Sequence, residues 1–402
     1  MTESWFAALE SAGVRWCVLY QGELPGAAGE ELDVLVGSAD RELAECSLAA
    51  LDFLPLSSQH QATRREWLAY AAPAGCWVRV NVLTRLAYGM RLIFPAETSA
   101  GILERRLRQG TAYSPDPDDA FWVLLLRCLL ISGGIGPAER AHLLTLSLTA
   151  RPDGPLAAIL PGDWPVERLI AAARAGDWDS LLQFATHWLA RRTLGWGGAL
   201  NRVLRRLPGR SHPPGLNVAL LGSDGAGKST VVEAVQRSFY FPVRTLYMGL
   251  SEERVPLVAR LQPRALRGLV FLLVLWANYL AALVHRARGR LVIFDRYTYD
   301  ALLPPRQRLS PLMAASRWLR AHLLPPPDLV LVLDVPGAVM YARKGEHDPA
   351  HLEAERQDYL ALQRRIANAE IVDGTRLPGA VGADVVARIW RRQVLAWKEG
   401  RS

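Results

Sequence analysis

The sequence predicts an α/β protein in which a parallel sheet flanked by helices follows a smaller α+β domain with a helical extension. Three observations support this fold class. Short apolar runs alternate with helix-like segments from residue 216 onward, which is the pattern of repeated β-α units. Residues 1–90 also alternate strand-like and helix-like runs, whereas residues 100–200 are mainly helix-like. Residues 203–215, rich in proline, glycine and arginine, separate the two halves.

These changes in pattern also give the expected domain boundaries. At 402 residues, the chain is long enough for two or three domains. We expect an α/β domain over 1–95, a helical extension over 96–202, a linker over 203–215 and a second α/β domain over 216–402.

Individual elements follow from the spacing of apolar residues. In the first half, we predict strands over 14–20, 32–36 and 76–82, and helices over 41–51, 118–131 and 166–194. In the second half, we predict strands over 216–221, 243–248, 290–294, 328–334 and 369–373, and helices over 228–239, 265–284, 310–322, 350–368 and 382–396.

One predicted helix resembles a membrane span. Residues 268–284 (GLVFLLVLWANYLAALV) are almost entirely apolar and lie between arginines, but 17 residues are at the lower limit for crossing a bilayer. A single crossing would also separate the two candidate site motifs described below. We therefore predict a long buried helix that crosses the sheet, no membrane span, and peripheral membrane contact as an open alternative.

Composition limits the function classes. Half of the residues are apolar and the net charge is +8, which suits phosphate-bearing ligands. A bias toward arginine explains the positive charge equally well, since only three of the 47 basic residues are lysine. Charge alone therefore does not indicate nucleic-acid binding, and we expect no nucleic-acid partner. The four cysteines form no C-x-x-C pair, so we predict buried thiols in a reducing compartment. No signal peptide is evident, and we expect a cytoplasmic protein.

A glycine-rich loop follows the first strand of the second half. Its sequence, GSDGAGKST over 222–230, fits the pattern G-x-x-x-x-G-K-[ST] of phosphate-binding loops. Glycine allows backbone conformations in which several N–H groups point into one cavity, and the following helix adds its positive end. We therefore predict that the loop binds nucleotide phosphates, that the lysine contacts them and that the first hydroxyl ligates Mg²⁺. The predicted site comprises Gly222, Ser223, Asp224, Gly225, Ala226, Gly227, Lys228, Ser229 and Thr230.

Two further strands end in a carboxylate. Asp295 follows the run LVIF and precedes Arg296. Because ligands bind at the carboxyl edge of such sheets, Asp295 could bind Mg²⁺ or accept a proton, and Arg296 could hold an acceptor phosphate. An ordinary surface ion pair is the alternative. Asp334 ends the run LVLVL, and there a simple turn cap is equally well supported.

A compact basic segment stands between two helices. Arg343 and Lys344 lie in the sequence RKGEH, between the joints at Gly345 and Pro349. A mobile basic segment over a phosphate site stabilises charge in phosphoryl transfer, whereas a solvated charge run is the alternative. Arg356 and Tyr359 on the next helix are expected on one face.

Together these motifs resemble the thymidylate kinase family of P-loop kinases over residues 215–396. The shared features are the loop GSDGAGKST, the strand end DRY, the strand LVLDVP, the basic segment RKGE and the terminal IVDGT. The resemblance implies that the loop holds ATP phosphates, that Asp295 serves Mg²⁺ or acts as a base, and that Arg296 holds the acceptor phosphate. It further implies that Arg343 and Lys344 are lid cations, that the loop from Asp373 borders adenine, and that a homodimer can form through helices flanking the sheet.

One departure from the family concerns the acceptor. Thymidylate kinases have an Arg-Glu-Pro element after the second strand, where this chain has LYMGLSEE over 246–253. The sequence therefore supports the phosphate-donor side more strongly than it supports thymidylate as the acceptor.

The first domain resembles a nucleotidyltransferase-like domain, through the segments VLYQGELP, ELDVLV and VNV. That chemistry needs three carboxylates to clamp two Mg²⁺ ions. The chain offers Glu31 and Asp33, with Asn81 where the third acid is expected, and an amide is a poorer Mg²⁺ ligand. We expect a degenerate binding or regulatory domain, with an active transferase as the alternative.

The sequence thus leads to one main functional hypothesis and two alternatives. The main hypothesis is an ATP- and Mg²⁺-dependent kinase acting on a nucleoside monophosphate or a related small phosphorylated acceptor. The first alternative keeps the enzyme class but changes the acceptor to a sugar, a lipid-linked molecule or a natural-product alcohol. The second is an ATP-binding regulator without turnover.

Overall fold

The computed structural model is a mixed α/β protein that forms two compact units. The first unit comprises Met1–Ala69 and Cys76–Ser211, and the second comprises Tyr70–Gly75 and His212–Ser402. The structure describes residues 1–23, 29–56, 63–88, 92–192, 215–249, 264–305, 311–345 and 348–400. The predicted linker over 203–215 lies outside the described residues except for Gly215.

A five-stranded sheet with the order β1-β2-β5-β4-β3 forms the centre of the first unit. Strand β2 is antiparallel to β1 and parallel to β5. The elements up to the end of the sheet are α1 (Thr2–Ser11), β1 (Trp16–Glu23), β2 (Gly29–Val36), α2 (Arg41–Ala50), β3 (Leu54–Leu56), β4 (Arg64–Ala71) and β5 (Cys76–Leu83). Sequence reasoning found β1, β2, α2 and β5 within a few residues and missed α1, β3 and β4.

The rest of the first unit is mainly helical. Its elements are β6 (Ala87–Tyr88), β7 (Leu92–Ile93), α3 (Ala96–Arg105), β8 (Leu107–Gln109), β9 (Ala112–Ser114), α4 (Pro117–Arg127), α5 (Pro137–Ser147), α6 (Val166–Ala175) and α7 (Trp178–Arg192). The prediction of one helix over 166–194 was wrong, because Gly176 takes a φ of +70° and ends α6. The helix predicted over 118–131 stops at Arg127 and continues as a π-helical turn.

The second unit contains a five-stranded sheet in which every neighbouring pair is parallel. Its order is β11-β12-β10-β13-β14, so the first strand lies at the centre. The elements are β10 (Asn217–Leu221), α8 (Lys228–Ser238), β11 (Val243–Tyr247), α9 (Arg264–Ala287), β12 (Leu291–Asp295), α10 (Pro311–Ala321), β13 (Leu329–Asp334), α11 (Gly337–Lys344), α12 (Pro349–Gln363), β14 (Ala369–Asp373) and α13 (Pro378–Glu399). The predicted parallel sheet flanked by helices is confirmed.

Continuous apolar sequence explains why the central strands are parallel and covered. All five residues of β10 are buried, and so are the first five of β13. Strands buried on both faces lack the polar alternation of a half-exposed sheet and need helices on each side. The apolar runs therefore stop where the strands leave the core, which places Asp295 and Asp334 at one edge.

Helix α9 differs from its prediction in one respect. It is a long helix packed on the sheet, as expected, but it is not buried, since only 22% of its most apolar window, Val270–Ala287, lies inside the protein. By length and composition it is the one helix among the described residues that could cross a membrane. Hydropathy records composition and does not show which faces of a helix are covered.

The cysteines also correct one expectation. All four are free thiols, and Cys17 and Cys128 are buried as predicted, but Cys46 is exposed and Cys76 is half-buried. Burial raises the pKa of Cys17 and that of Cys128, each to about 12, so both remain neutral thiols at neutral pH.

The core of the second unit gives a stability prediction. Phe294 on β12 is completely buried and packs 5.4 Å from the Tyr297 ring. We expect Phe294→Ala to lower the free energy of unfolding by about 3–5 kcal/mol, because it removes a large buried side chain and leaves a cavity. Leu395→Ala, at a leucine that is 46% exposed, should change it by about 0.5 kcal/mol or less. Urea unfolding measures both, and equal losses would contradict this description of the core.

Candidate functional site

Two sets of residues predicted from the sequence come together in the structure, one in each unit. In the second unit, the strands end at a common edge, because Asp295 pairs in register with Leu220 and Asp334 pairs with Asp373. The chain passes from β12 on one side of β10 to β13 on the other. The loop after β10 therefore lies at the switch point of the sheet, where ligands bind in open α/β folds.

The loop of residues 222–227 needs its glycines. Gly222, Gly225 and Gly227 have φ values of +145°, +88° and +90°. A Cβ on Gly225 would lie 3.1 Å from the Met340 carbonyl oxygen, so a larger residue would be both strained and crowded. Helix α8 starts directly after Gly227 without a side-chain cap. Its first N–H groups and positive dipole end are therefore available to an anion.

The other predicted loop residues occupy different environments. Ser223 and Ala226 are buried, Asp224 is half-buried, and Ser229 and Thr230 are exposed at the start of α8. Both hydroxyl-bearing residues are thus accessible to solvent in the first turn of the helix.

Lys228 folds back over its own loop. Its Nζ donates to the carbonyl oxygens of Gly222 and Ser223, each at 2.8 Å, and lies 3.7 Å from Asp224 Oδ1. Burial, reinforced by the positive charge of Arg296, lowers the pKa of Lys228 to about 8, while nearby carboxylates oppose that shift. The ammonium group is therefore held where it could exchange backbone oxygens for phosphate oxygens.

Arg296 is held by three side chains. It adopts a φ of +63°, which is unusual for a residue other than glycine. Its Nη2 donates to Asp224 Oδ1 at 2.7 Å, its Nη1 donates to the Tyr359 hydroxyl at 3.2 Å, and Nη1 lies 3.5 Å from Asp300 Oδ2. Burial lowers the pKa of Arg296, but Tyr359 and the two carboxylates raise it above its usual range. The guanidinium thus stays charged and fixed beside the glycine-rich loop.

Asp300 completes this cluster and was missed from the sequence. The Tyr359 hydroxyl donates to Asp300 Oδ1 at 3.2 Å, and burial raises the pKa of Asp300 despite the neighbouring Arg296. The spacing of four residues between Arg296 and Asp300 was the available signal. The sequence predicted Tyr359 and Arg356 on the same face of one helix. In the structure, both side chains contact residues at the ends of strands, Tyr359 at Arg296 and Arg356 at Asp334.

Asp295 and Ser229 are the predicted magnesium ligands. Asp295 ends β12 beside the loop, close enough to raise the pKa of Lys228, and Ser229 lies in the first turn of α8. No group of three or more His, Cys, Asp or Glu that could hold a metal occurs among the described residues. A hydroxyl and a carboxylate still suit Mg²⁺, which takes its other oxygen ligands from phosphates and water.

Asp334 does not act as a simple turn cap. Its two carboxylate oxygens accept from Arg356 Nε and Nη2 at 2.5 and 3.2 Å. Arg356 also donates to Glu353 at 2.8 Å, and Glu353 accepts from the Gly337 backbone N–H at 2.9 Å. This chain of bonds joins β13 to α11 and α12, so Asp334 positions the helices that follow it.

The basic pair lies within a helix. Arg343 and Lys344 form the last turn of α11, rather than following a helix as expected, and Gly345 ends it with a φ of +67°. Arg343 Nη2 donates to the Gly374 carbonyl at 3.1 Å, and its Nη1 lies 3.8 Å from the position of a Cβ on Gly227. Arg343 therefore reaches the glycine-rich loop, and Lys344 is exposed at the same helix end.

The segment after β14 also reaches the loop. A Cβ on Gly374 would lie 3.6 Å from the Ala226 carbonyl oxygen. The Asp373 carboxylate accepts from the Thr375 N–H and hydroxyl at 2.9 and 2.6 Å, and these bonds lower the pKa of Asp373. The structure thus brings this segment beside the glycine-rich loop, where Asp373 caps its own turn.

In the first unit, Glu31, Asp33 and Asn81 meet as predicted. Glu31 and Asp33 lie two residues apart on β2, which places both on one face, and Asn81 pairs with Asp33 across the sheet. All three are buried. The Asn81 amide donates to Glu31 Oε1 at 2.9 Å and to Asp33 Oδ1 at 2.6 Å.

Three arginines surround this acidic pair, and they were not predicted from the sequence. Arg127 Nη1 lies 2.5 Å from Asp33 Oδ2, and Arg79 Nη2 lies 2.7 Å from Glu31 Oε1. Arg64 lies within 3.8 Å of both acids. The adjacent cavity has a volume of about 20 Å³, which suffices for about one water molecule. Guanidinium groups thus occupy the space around the carboxylates that two divalent cations would need.

A scan of protein-family models and a search of curated proteins found no match to this chain.

The closed acidic pair gives a prediction for the first unit. We expect Asp33→Asn to lower the free energy of unfolding by about 3 kcal/mol, because it removes the nearer carboxylate partner of the half-buried Arg127 and leaves only Glu31, at 3.5 Å. Glu104→Gln, which neutralises an exposed acid of the same unit, is the matched control and should have little effect. Urea unfolding checks both, and wild-type stability in Asp33→Asn would contradict a structural role for the pair.

Proposed function

We propose that this protein is an ATP- and Mg²⁺-dependent phosphotransferase whose acceptor carries a phosphate, most simply a nucleoside monophosphate. The observation that carries the proposal is the placement of Lys228 and Arg296 around one carboxylate, Asp224, at 3.7 and 2.7 Å. Two cations that converge beside a glycine loop and a helix N-terminus suit two phosphate groups that must come together.

The donor half comprises the loop, Lys228 and the start of α8. The loop glycines leave the backbone open to the phosphates, the helix end supplies N–H donors, and the lysine supplies a point charge. Arg343 reaches the same loop from α11 and would add positive charge over the transferring group. Bound Mg²⁺ would be held by Ser229, with Asp295 nearby, and would neutralise charge on the donor phosphates.

The acceptor half centres on Arg296. Its side chain is only 14% exposed and is fixed by Asp224, Asp300 and Tyr359. Holding a guanidinium in this way lowers the entropy lost when a phosphate binds. A phosphate-bearing acceptor uses this group better than a neutral alcohol does, which favours the phosphorylated class over the sugar or natural-product alcohol.

The identity of the acceptor depends on the segment after β11. A Cβ on Gly249 would lie 3.0 Å from Arg296 Cβ, so this segment passes directly beside the acceptor arginine. The remaining residues of the departure from the family pattern, 250–253, lie outside the described residues. A non-catalytic ATP-binding regulator stays the alternative from another functional class, and it predicts nucleotide binding without transfer.

The decisive experiment is transfer of the labelled γ-phosphate of ATP to a panel of nucleoside monophosphates, nucleosides and sugar phosphates. We expect transfer to a monophosphate and a loss of at least about 100-fold in Lys228→Ala, because that variant removes a charge aimed at the transferring phosphate. Arg296→Gln should raise the KM for the acceptor by a larger factor than it weakens ATP binding, because Arg296 also pairs with Asp224 of the loop. Undiminished turnover in Lys228→Ala would refute the proposal, and ATP binding without transfer would support the regulator.

The lowered pKa of Lys228 predicts pH-dependent nucleotide affinity. With a pKa of about 8, the lysine is charged below pH 8 and neutral above it in the nucleotide-free protein. A triphosphate favours the charged form, so binding above pH 8 must first restore a proton and the affinity should fall by up to about tenfold per pH unit. Titration with a fluorescent ATP analogue between pH 7 and 9.5 measures this. Lys228→Ala should bind more weakly and show no such decline, and a flat wild-type profile would contradict the assignment.

A further inference from the structure

The outer face of α9 is apolar although the helix lies on the surface. Five large apolar residues on this face are between 37% and 61% exposed: Leu273, Trp276, Leu280, Leu283 and Val284. Their spacing of three, four, three and one residues places them on one side of a helix. A surface helix of a soluble domain normally presents polar residues there, so this face is suited to an apolar partner.

The inner face fixes the helix to the sheet. Phe271, Leu275 and Tyr279 are buried in the same cluster as Val292 and Phe294 of β12. Asn278 adds a hydrogen bond from its side-chain amide to the Tyr247 carbonyl at 3.2 Å. A membrane-spanning position would require these contacts to break, so α9 can meet a bilayer only with its outer face.

Charge around the helix identifies the partner. Residues 264–294 contain five arginines and no aspartate or glutamate. Arginines occur at both ends of α9, with Arg264 and Arg267 in its first turn, Arg286 in its last turn, where it pairs with Asp328 at 3.2 Å, and Arg288 just after it. Arg288 is exposed, and so is Arg244, which lies close enough to lower the pKa of His285. An apolar stripe between basic ends fits lipid tails flanked by anionic headgroups.

A second copy of the chain fits this face less well. Two copies of α9 paired side by side, in either direction, would bring the basic ends of one helix against the basic ends of the other. The segment supplies no acid to neutralise them, and like charges across an interface oppose association.

From these observations we propose that α9 docks this protein onto the surface of an anionic lipid bilayer, with its outer face inserted at the level of the headgroups. Leu273, Trp276, Leu280, Leu283 and Val284 enter the apolar layer, and the arginines at the helix ends contact the headgroups. The proposal is independent of the phosphotransferase activity, since it uses none of the residues assigned to that site.

Co-sedimentation of the full chain with vesicles tests the proposal. We expect binding to vesicles of phosphatidylglycerol and phosphatidylcholine, at least tenfold weaker binding to phosphatidylcholine alone, and weaker binding at high salt. The double variant Leu273→Glu/Leu280→Glu should lose at least tenfold in binding. Leu144→Glu/Leu148→Glu, at leucines of the first unit that are 44% and 73% exposed, adds the same charge elsewhere and should lose less than threefold.

A second measurement keeps the test independent of the folding of the glutamate variants. Tryptophan fluorescence of the wild type should be quenched by brominated phosphatidylglycerol, and Trp276→Phe should remove the larger part of that quenching. Three results would overturn the proposal: no sedimentation of the wild type, equal binding by the two double variants, or a dimer in light scattering that dissociates in Leu273→Glu/Leu280→Glu.

Discussion

The ion pair between Arg296 and Asp224 joins the two halves of the candidate site. Asp224 belongs to the loop that follows β10, and Arg296 follows β12, so the bond connects adjacent strands at their carboxyl ends. Arg296 adopts its positive φ within this network. Strain of about 1–3 kcal/mol is retained only where the surroundings fix it, and here Asp300 and Tyr359 supply that support. The position of both candidate phosphate sites thus depends on this one carboxylate.

The carboxylates of the two candidate sites have opposite surroundings. In the first unit, Glu31 and Asp33 are enclosed by arginines and the adjacent space is about 20 Å³. In the second, Asp295 stays partly exposed at the strand end beside a loop kept open by glycines. A carboxylate paired with guanidinium groups is already partnered, whereas one left open to solvent remains available to a ligand. Of these carboxylates, Asp295 is therefore the one that a ligand can reach.

The features that were predicted correctly from the sequence depend on residues close together in the chain. The features that were missed depend on contacts between residues far apart in the chain. The loop, the apolar strands and the acids that end them are local patterns, so Lys228 and Asp295 were found. Arg127 reaches Asp33 across 94 positions, and Tyr359 reaches Arg296 across 63, so no spacing rule could pair them. The basic residues at 343 and 344 were found, but helix α11 extends over them because Gly345, rather than Arg343, marks its end.

The candidate site and the inner face of α9 approach each other at Tyr247. Its carbonyl accepts from Asn278 of α9, and its backbone pairs in register with Asp295. Two residues further on, Gly249 lies against Arg296. Because protein interiors are densely packed, these contacts fix the inner face of α9 and the surroundings of Arg296 to the same strand, β11, and to the residues that follow it.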